Sequence, residues 1–218
     1  MLARNFPKTA ETENLLFHPV ASAQLLGSGT NPRRRTADVM NSLVDFLGSA
    51  QESATLCSPY FVLDSAMRNA LRTAVNQVPR FKMLTNSAAT GNNIIASSDG
   101  VFHRGMLRAM DAEVWETQTE FSVHTKAMVM DRETSIVGSF NMDMRSAYLD
   151  TEIMLALQCP ELAAELENFL DGLCENAIPV SQQARQTAPE FTVQAIPWLK
   201  ALRIYLLSPL ISLVRYLV

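Results

Sequence analysis

Almost nothing in this sequence is suited to holding a metal, a disulfide framework or a membrane span. The three cysteines, Cys57, Cys159 and Cys174, are far apart, odd in number and in no ligand spacing. They read as reduced thiols of a cytosolic-facing protein. No His-x-x-x-His pair occurs, and no metal or other cofactor is expected. Positive charge is not in excess: 18 basic against 22 acidic residues give a net charge of −4. That balance offers no overall attraction to a phosphate backbone, so nucleic acid is not expected as a partner. The N-terminus carries Arg4 but no apolar run of secretory type, and export is not expected. No internal repeat is visible. In the apolar C-terminus the uncharged stretch from Ile204 to Val214 is 11 residues long, against the ~20 needed to cross a bilayer.

What is present suits a globular α/β chain. Apolar residues make up 48% and charged residues 18% of the 218 positions, enough to build a core. Thr36 is a candidate N-cap for a helix through Leu47, with Met40, Leu43, Val44 and Leu47 on one face. "ATLCS" then reads as a buried strand stopped by Pro59, Asp64 as the cap of a helix over "SAMRNALRTAVNQ", and "RFKMLTN" as a second strand. A helix over "DGVFHRGMLRAMDA", a strand "EVWET", the apolar runs "KAMVMD", "SIVGSF" and "TEIMLAL", and a helix entered at Pro160 complete the alternation. The organisation expected is an N-terminal extension over 1–35, one layered domain over 36–177, a linker over 178–195 and a distinct segment over 196–218.

The chemistry is concentrated in "VHTKAMVMDRETSIVGSFNMD", residues 123–143. If 126–130 is a strand, its period of two sends His124 and Lys126 to the same side. Asn141, after the Gly138-Ser139 turn, adds an amide donor. A phosphodiester needs donors around its anionic oxygens and an imidazole that attacks phosphorus or protonates the leaving oxygen.

The spacing His124-x-Lys126, Asp131, Gly138-Ser139, Asn141 resembles the HKD signature of the phospholipase D superfamily, and six identities at fixed distances make it a specific match. "SPYFV" at 58–62, "KMLTNSAAT" at 82–90, "MDMRSAYLDTE" at 142–152 and the helix after Pro160 are similar to the second half of bacterial cardiolipin synthases of the C type. The resemblance implies a layered sheet flanked by helices, forming one HKD lobe. It implies that His124, Lys126, Asp131, Asn141 and Glu152 are the catalytic group, with Lys126, Ser139 and Asn141 holding the phosphoryl oxygens. Glu152 would orient the His124 imidazole, and Asp131 would mainly tie down the loop of the motif. Asp150 stands where such relatives usually carry Asn. The implied reaction is phosphatidyl transfer through a phosphohistidine, with phosphatidylglycerol and a second phospholipid as substrates. The alternative is a single-motif phosphodiesterase or nuclease with water as acceptor, or a truncated non-catalytic half-protein.

Only one copy of the motif is present, whereas two face each other in that family. His18 and His103 have no Lys two residues on and cannot supply a second. The missing motif implies a homodimer, a separate first-half HKD chain, or a remnant without activity. Resemblance to the second half implies that His124 is the acid/base partner. Arg33, Arg34 and Arg35 read as a solvated charge run or a site for anionic lipid. His103 reads as a packed or surface histidine, Tyr60 and Phe61 as core aromatics that could border the cleft, and the 11 methionines as core filler. From Ile196 onward there are three cations and no acid, whereas residues 1–190 carry −7. An amphipathic segment lying in the membrane surface is therefore expected, making the chain peripheral on the cytoplasmic side of a bacterial inner membrane. A core helix or dimer contact is the alternative.

Overall fold

The structure, a computed structural model, describes residues 17–29, 36–91, 93–175, 177–188 and 191–213. Arg33, Arg34, Arg35 and the side chain of His103 lie outside what is described.

Among the described residues, ten strands and seven α-helices run in the order β1 (Ser22–Gly27), α1 (Asp38–Ser49), β2 (Ser53–Cys57), β3 (Phe61–Val62), α2 (Ser65–Val75), β4 (Arg80–Asn86), α3 (Ile94–Arg108), β5 (Glu113–Thr117), β6 (Ala127–Met130), β7 (Thr134–Gly138), β8 (Met142–Asp143), α4 (Met144–Tyr148), β9 (Ile153–Gln158), α5 (Pro160–Cys174), β10 (Ile178–Pro179), α6 (Gln182–Thr187) and α7 (Trp198–Leu207). A 3₁₀ turn, Ser208–Leu213, follows. Eight strands form one mixed sheet in the order β1-β9-β7-β6-β2-β4-β5-β10, and β3 pairs with β8 beside it.

Strands β2, β4 and β5 are parallel and linked by helical crossovers, while β6, β7, β9 and β1 continue the sheet antiparallel. The carboxyl ends of β2, β4, β5 and β7 and the amino ends of β6 and β9 therefore share one end of the sheet. Ligands in open α/β sheets bind at that end.

The two sheet faces differ. One carries Leu26, Met154, Ile136, Met128, Leu56, Met83 and Val114 into a single core with the apolar sides of α1 and α2. The other carries a row that crosses the sheet in register: Leu25, Leu155, Val137, Ala127, Cys57, Leu84 and Trp115. Helix α5 covers the middle of this row, where Cys57, Leu84 and Val129 meet Ala163 and Leu170. Toward β1 no described element covers it, and Leu25, Val137 and Leu155 stay exposed.

Local chemistry explains most boundaries. Asp64 accepts from the Met67 amide at 2.8 Å and starts α2, and Pro160 occupies the first turn of α5. Thr36 is not the cap of α1: that position falls on Ala37, which makes no side-chain cap bond. Helix α3 begins earlier than the apolar pattern suggests because Asn93 accepts from the Ala96 amide at 3.1 Å. Three elements fall within the stretches expected to be extension and linker. Strand β1, within 1–35, pairs with β9; β10 and α6, within 178–195, are anchored by Ser181, whose hydroxyl accepts from Val114 N at 2.9 Å and Ala184 N at 3.2 Å. They bury one residue each, Leu26 in β1, Pro179 in β10 and Ala184 in α6, so they carry no periodic signal.

Candidate active site

At the shared strand ends the motif closes around Gly138. A Cβ there would sit 2.2 Å from the Ile153 carbonyl and 2.6 Å from Met154 Sδ. Only glycine allows β7 and β9 to approach so closely. That approach places the Ser139 hydroxyl against Glu152, to which it donates, while it accepts from Ile153 N at 3.1 Å.

His124 and Lys126 lie just ahead of β6, not within it, yet they meet as the strand period suggested. Lys126 Nζ is 2.7 Å from His124 Nδ1 and 2.9 Å from the His124 carbonyl. An ammonium is donor only, so in this contact Nδ1 is the acceptor. Burial, then the Lys126 charge, hold His124 below its ordinary pKa. Lys126 is itself pulled down by burial, against the opposing pull of the Glu152 and Asp143 carboxylates.

Glu152 does not meet the imidazole as the resemblance implied. Its carboxylate takes the Ser139 hydroxyl, and its backbone is pinned to Ser28, N to Oγ at 3.1 Å and Ser28 N to the carbonyl at 2.9 Å. It acts on the site through charge on Lys126. Asn141 enters through Ser146: its backbone N and its Nδ2 lie 3.2 Å and 3.4 Å from Ser146 Oγ, and Oδ1 is buried without a partner among the described residues.

Asp131 stands apart from the others. It occupies the turn at the far end of β6, about 16 Å from Lys126 at strand rise. Its carboxylate accepts from the backbone of Gln51 at 2.9 Å, Glu52 at 2.8 Å and Ser53 at 2.9 Å. Burial alone would raise its pKa, but the three donors outweigh it and hold the carboxyl below its usual value. Asp131 and Arg132 both adopt positive φ, 53° and 57°, so this carboxylate locks a strained hairpin to β2. Its place is structural.

Several neighbours had no motif to announce them. Asp143 caps α4 through Ser146 N at 2.6 Å, and its carboxyl is raised by burial, partly offset by Ser146. Tyr60 is pushed up to about 12 by burial and then by Asp143. Cys57, near Lys126, is pushed up to about 12, chiefly by burial, so it is a thiol and not a nucleophile. A cavity of about 380 Å³ opens beside His124, with Tyr60, Asn93, Arg104 and Glu116 in its walls. Arg104 donates to Glu116. These groups come from α3 and β5, distant in sequence from the motif, and only the crossover topology joins them.

Comparison with known proteins adds an independent line. The family described as "Cardiolipin synthase, PLD-like domain" matches residues 43–174. Cardiolipin synthase A of Pseudomonas aeruginosa strain LESB58 is 29% identical over 167 residues, which cover 77% of this chain and 33% of that protein. The chain thus spans about a third of the length of such relatives. Among solved structures, Nuc of Salmonella typhimurium, a phospholipase D family member, superposes with TM-score 0.59 and 18% identity over 72% of this chain and 97% of that one. Phosphatidylserine synthase of Haemophilus influenzae Rd KW20 superposes with TM-score 0.63 and 15% identity over 100% of this chain and 52% of that one.

Proposed function

The chain belongs to the cardiolipin synthase PLD-like domain family, and from that premise we propose that it is one half of a phosphatidyl-transfer site completed by a second HKD motif on another chain. Contact between Lys126 Nζ and His124 Nδ1, 2.7 Å at the open strand ends, carries the reading. A phosphodiester arriving there draws the ammonium onto its anionic oxygens, which frees Nδ1 and removes one of the two causes that depress the imidazole. Reversing the Asn141 amide lets the Ser146 hydroxyl donate to Oδ1 and leaves Nδ2 for the same phosphate. Ser139 and Glu152 hold the turn beneath it.

In this mechanism the partner motif's imidazole attacks phosphorus and a P–N bond forms as the P–O bond to the leaving alcohol breaks. His124, protonated at that moment, delivers its proton to the departing oxygen. The hydroxyl of a phosphatidylglycerol then attacks phosphorus, the P–N electron pair returns to the partner imidazole, and His124 takes the hydroxyl proton. The donor is a second phospholipid. Single-lobed Nuc, matched over 97% of its chain, supports one lobe as a complete folding unit. We assign the exposed row Leu25, Leu155 and Val137, whose strands end at Ser139 and Glu152, to contact with a second copy of this chain.

Attachment to the membrane is assigned to α7. Lys200, Ile204 and Ser208 face the domain, while Trp198, Leu202, Tyr205 and Leu206 face solvent. No described helix is long and apolar enough to cross a membrane. Through α7 we place the chain peripherally, on the cytoplasmic side of the membrane.

The test is conversion of phosphatidylglycerol-containing vesicles by the full chain, with its solution mass measured in parallel. Transfer to a lipid hydroxyl by a dimer, abolished in a folded His124→Ala variant, supports the proposal. Hydrolysis alone, or cleavage of nucleic acid, replaces it with a single-motif phosphodiesterase. Wild-type rates in His124→Ala overturn the site, and an inactive monomer requires a separate first-half chain.

A further inference from the structure

The cavity that opens beside His124 contains a charged pair the chemistry above does not use. Glu116, near the carboxyl end of β5, has its side chain only 10% exposed, and Arg104, on α3, donates to it. Burial raises the Glu116 carboxyl and the Arg104 charge pulls it back. The pair is unevenly buried, the Arg104 side chain being 34% exposed, and an ion pair open to solvent on one side contributes little to stability. Its donors are also not exhausted. Arg104 Nη2 serves Glu116, but the buried Nε has no partner among the described residues, and a buried unsatisfied donor is costly.

From this juxtaposition we infer that Arg104 and Glu116 are the recognition element for the accepting alcohol, and that they select a polyol headgroup bearing neighbouring hydroxyls. The inference rests on the phosphatidyl-transfer reading of His124. A hydroxyl is donor and acceptor at once: one oxygen of a diol accepts from Arg104 Nε and donates to the Glu116 carboxylate. The pair as a whole is neutral. A headgroup ending in an ammonium meets the like charge of the guanidinium, with the Lys126 ammonium nearby at His124; it cannot accept from Arg104 Nε, and the one carboxylate it could donate to is already held by Arg104. An alkyl alcohol leaves both partners unsatisfied, which is the discrimination a hydrogen-bonding site imposes on an analogue lacking the group. With one hydroxyl held here, the next along the headgroup is presented to His124 in the same cavity.

The experiment uses water-soluble headgroups and reads binding, not turnover. Glycerophosphoglycerol and glycerophosphoethanolamine are titrated into the full chain while the Arg104 Nε–H resonance is followed by NMR. The wild-type chain and His124→Ala are expected to bind glycerophosphoglycerol at least ~10-fold more tightly than the ethanolamine probe, and the Arg104 signal is expected to shift. A double variant, Arg104→Gln with Glu116→Gln, keeps the pocket neutral and nearly isosteric; its preference is expected to fall to within about twofold. Equal binding of both probes by the wild-type chain overturns the inference, as does a preference that survives in the double variant. A dimer that transfers nothing yet still prefers the glycerol headgroup refutes the transfer reaction and leaves this assignment standing. An active chain indifferent to the two probes does the reverse.

Discussion

Lys126 donates to Nδ1 of His124 across 2.7 Å, and its charge is one of the two causes that hold the imidazole below its ordinary pKa. Replacing it with Met, of similar length and without charge, removes the second cause of the depressed His124 pKa and leaves burial, the first, in place. The NMR titration midpoint of His124 is expected to move up in Lys126→Met while staying at or below the ordinary value. Because the folded-state pKa is depressed, protonating His124 works against the fold as pH falls through the usual histidine range. That penalty shrinks in the variant. An unchanged or lower midpoint would contradict the contact.

Gly138→Ala is expected to be costly although no unusual backbone angle is involved. Its methyl would lie 2.2 Å from the Ile153 carbonyl, so β7 and β9 must part, at roughly 1–3 kcal/mol. Thermal melting reads the loss, and activity falls with it because Ser139 leaves Glu152. An alanine variant with native melting temperature and activity would show that the strand ends need not touch.

For Asp131 the expectation is loss of stability without loss of site geometry. Asp131→Asn removes the charge that collects three backbone donors, worth about 2 kcal/mol. Its depressed pKa makes the contribution present above the unfolded value and lost as pH falls through the folded one. In the Asn variant that acid limb of the stability profile flattens, while the His124 resonances stay in place. Large shifts at His124 would move Asp131 into the site.

Binding of the chain to anionic vesicles is expected to fall more than 10-fold in Trp198→Ser/Leu202→Ser/Leu206→Ser, with little change in melting temperature, because all three side chains are exposed. High salt should weaken attachment only partly, since the apolar contribution is not screened. A triple variant that binds like wild type would remove α7 from the interface.

The sequence made the central strands legible because burial there is carried by short apolar runs: "RFKMLTN" and "EVWET" coincide with β4 and β5. The motif marked His124, Lys126, Ser139 and Asn141, which one hairpin brings to the same end of the sheet. The resemblance implied a Glu152–His124 contact; the carboxylate instead takes the hydroxyl of Ser139, at the end of the neighbouring strand, and nothing local in the sequence signals that pairing. Arg104 and Glu116 were silent for a different reason. An isolated Arg on a helix and an isolated Glu on a strand are ordinary surface residues until a crossover buries them together.

Helix α7 is not a detachable tether. Lys200 donates at 2.7 Å to both the Ala89 and the Gly91 carbonyl, in the stretch where Ala88 and Gly91 line the cavity, and the Ser208 hydroxyl bonds the Ser98 carbonyl of α3 at 3.3 Å. The outward side of the same helix is the apolar one. Whatever plane α7 settles into therefore fixes the bearing of the cavity mouth, as a keel fixes the heading of a hull.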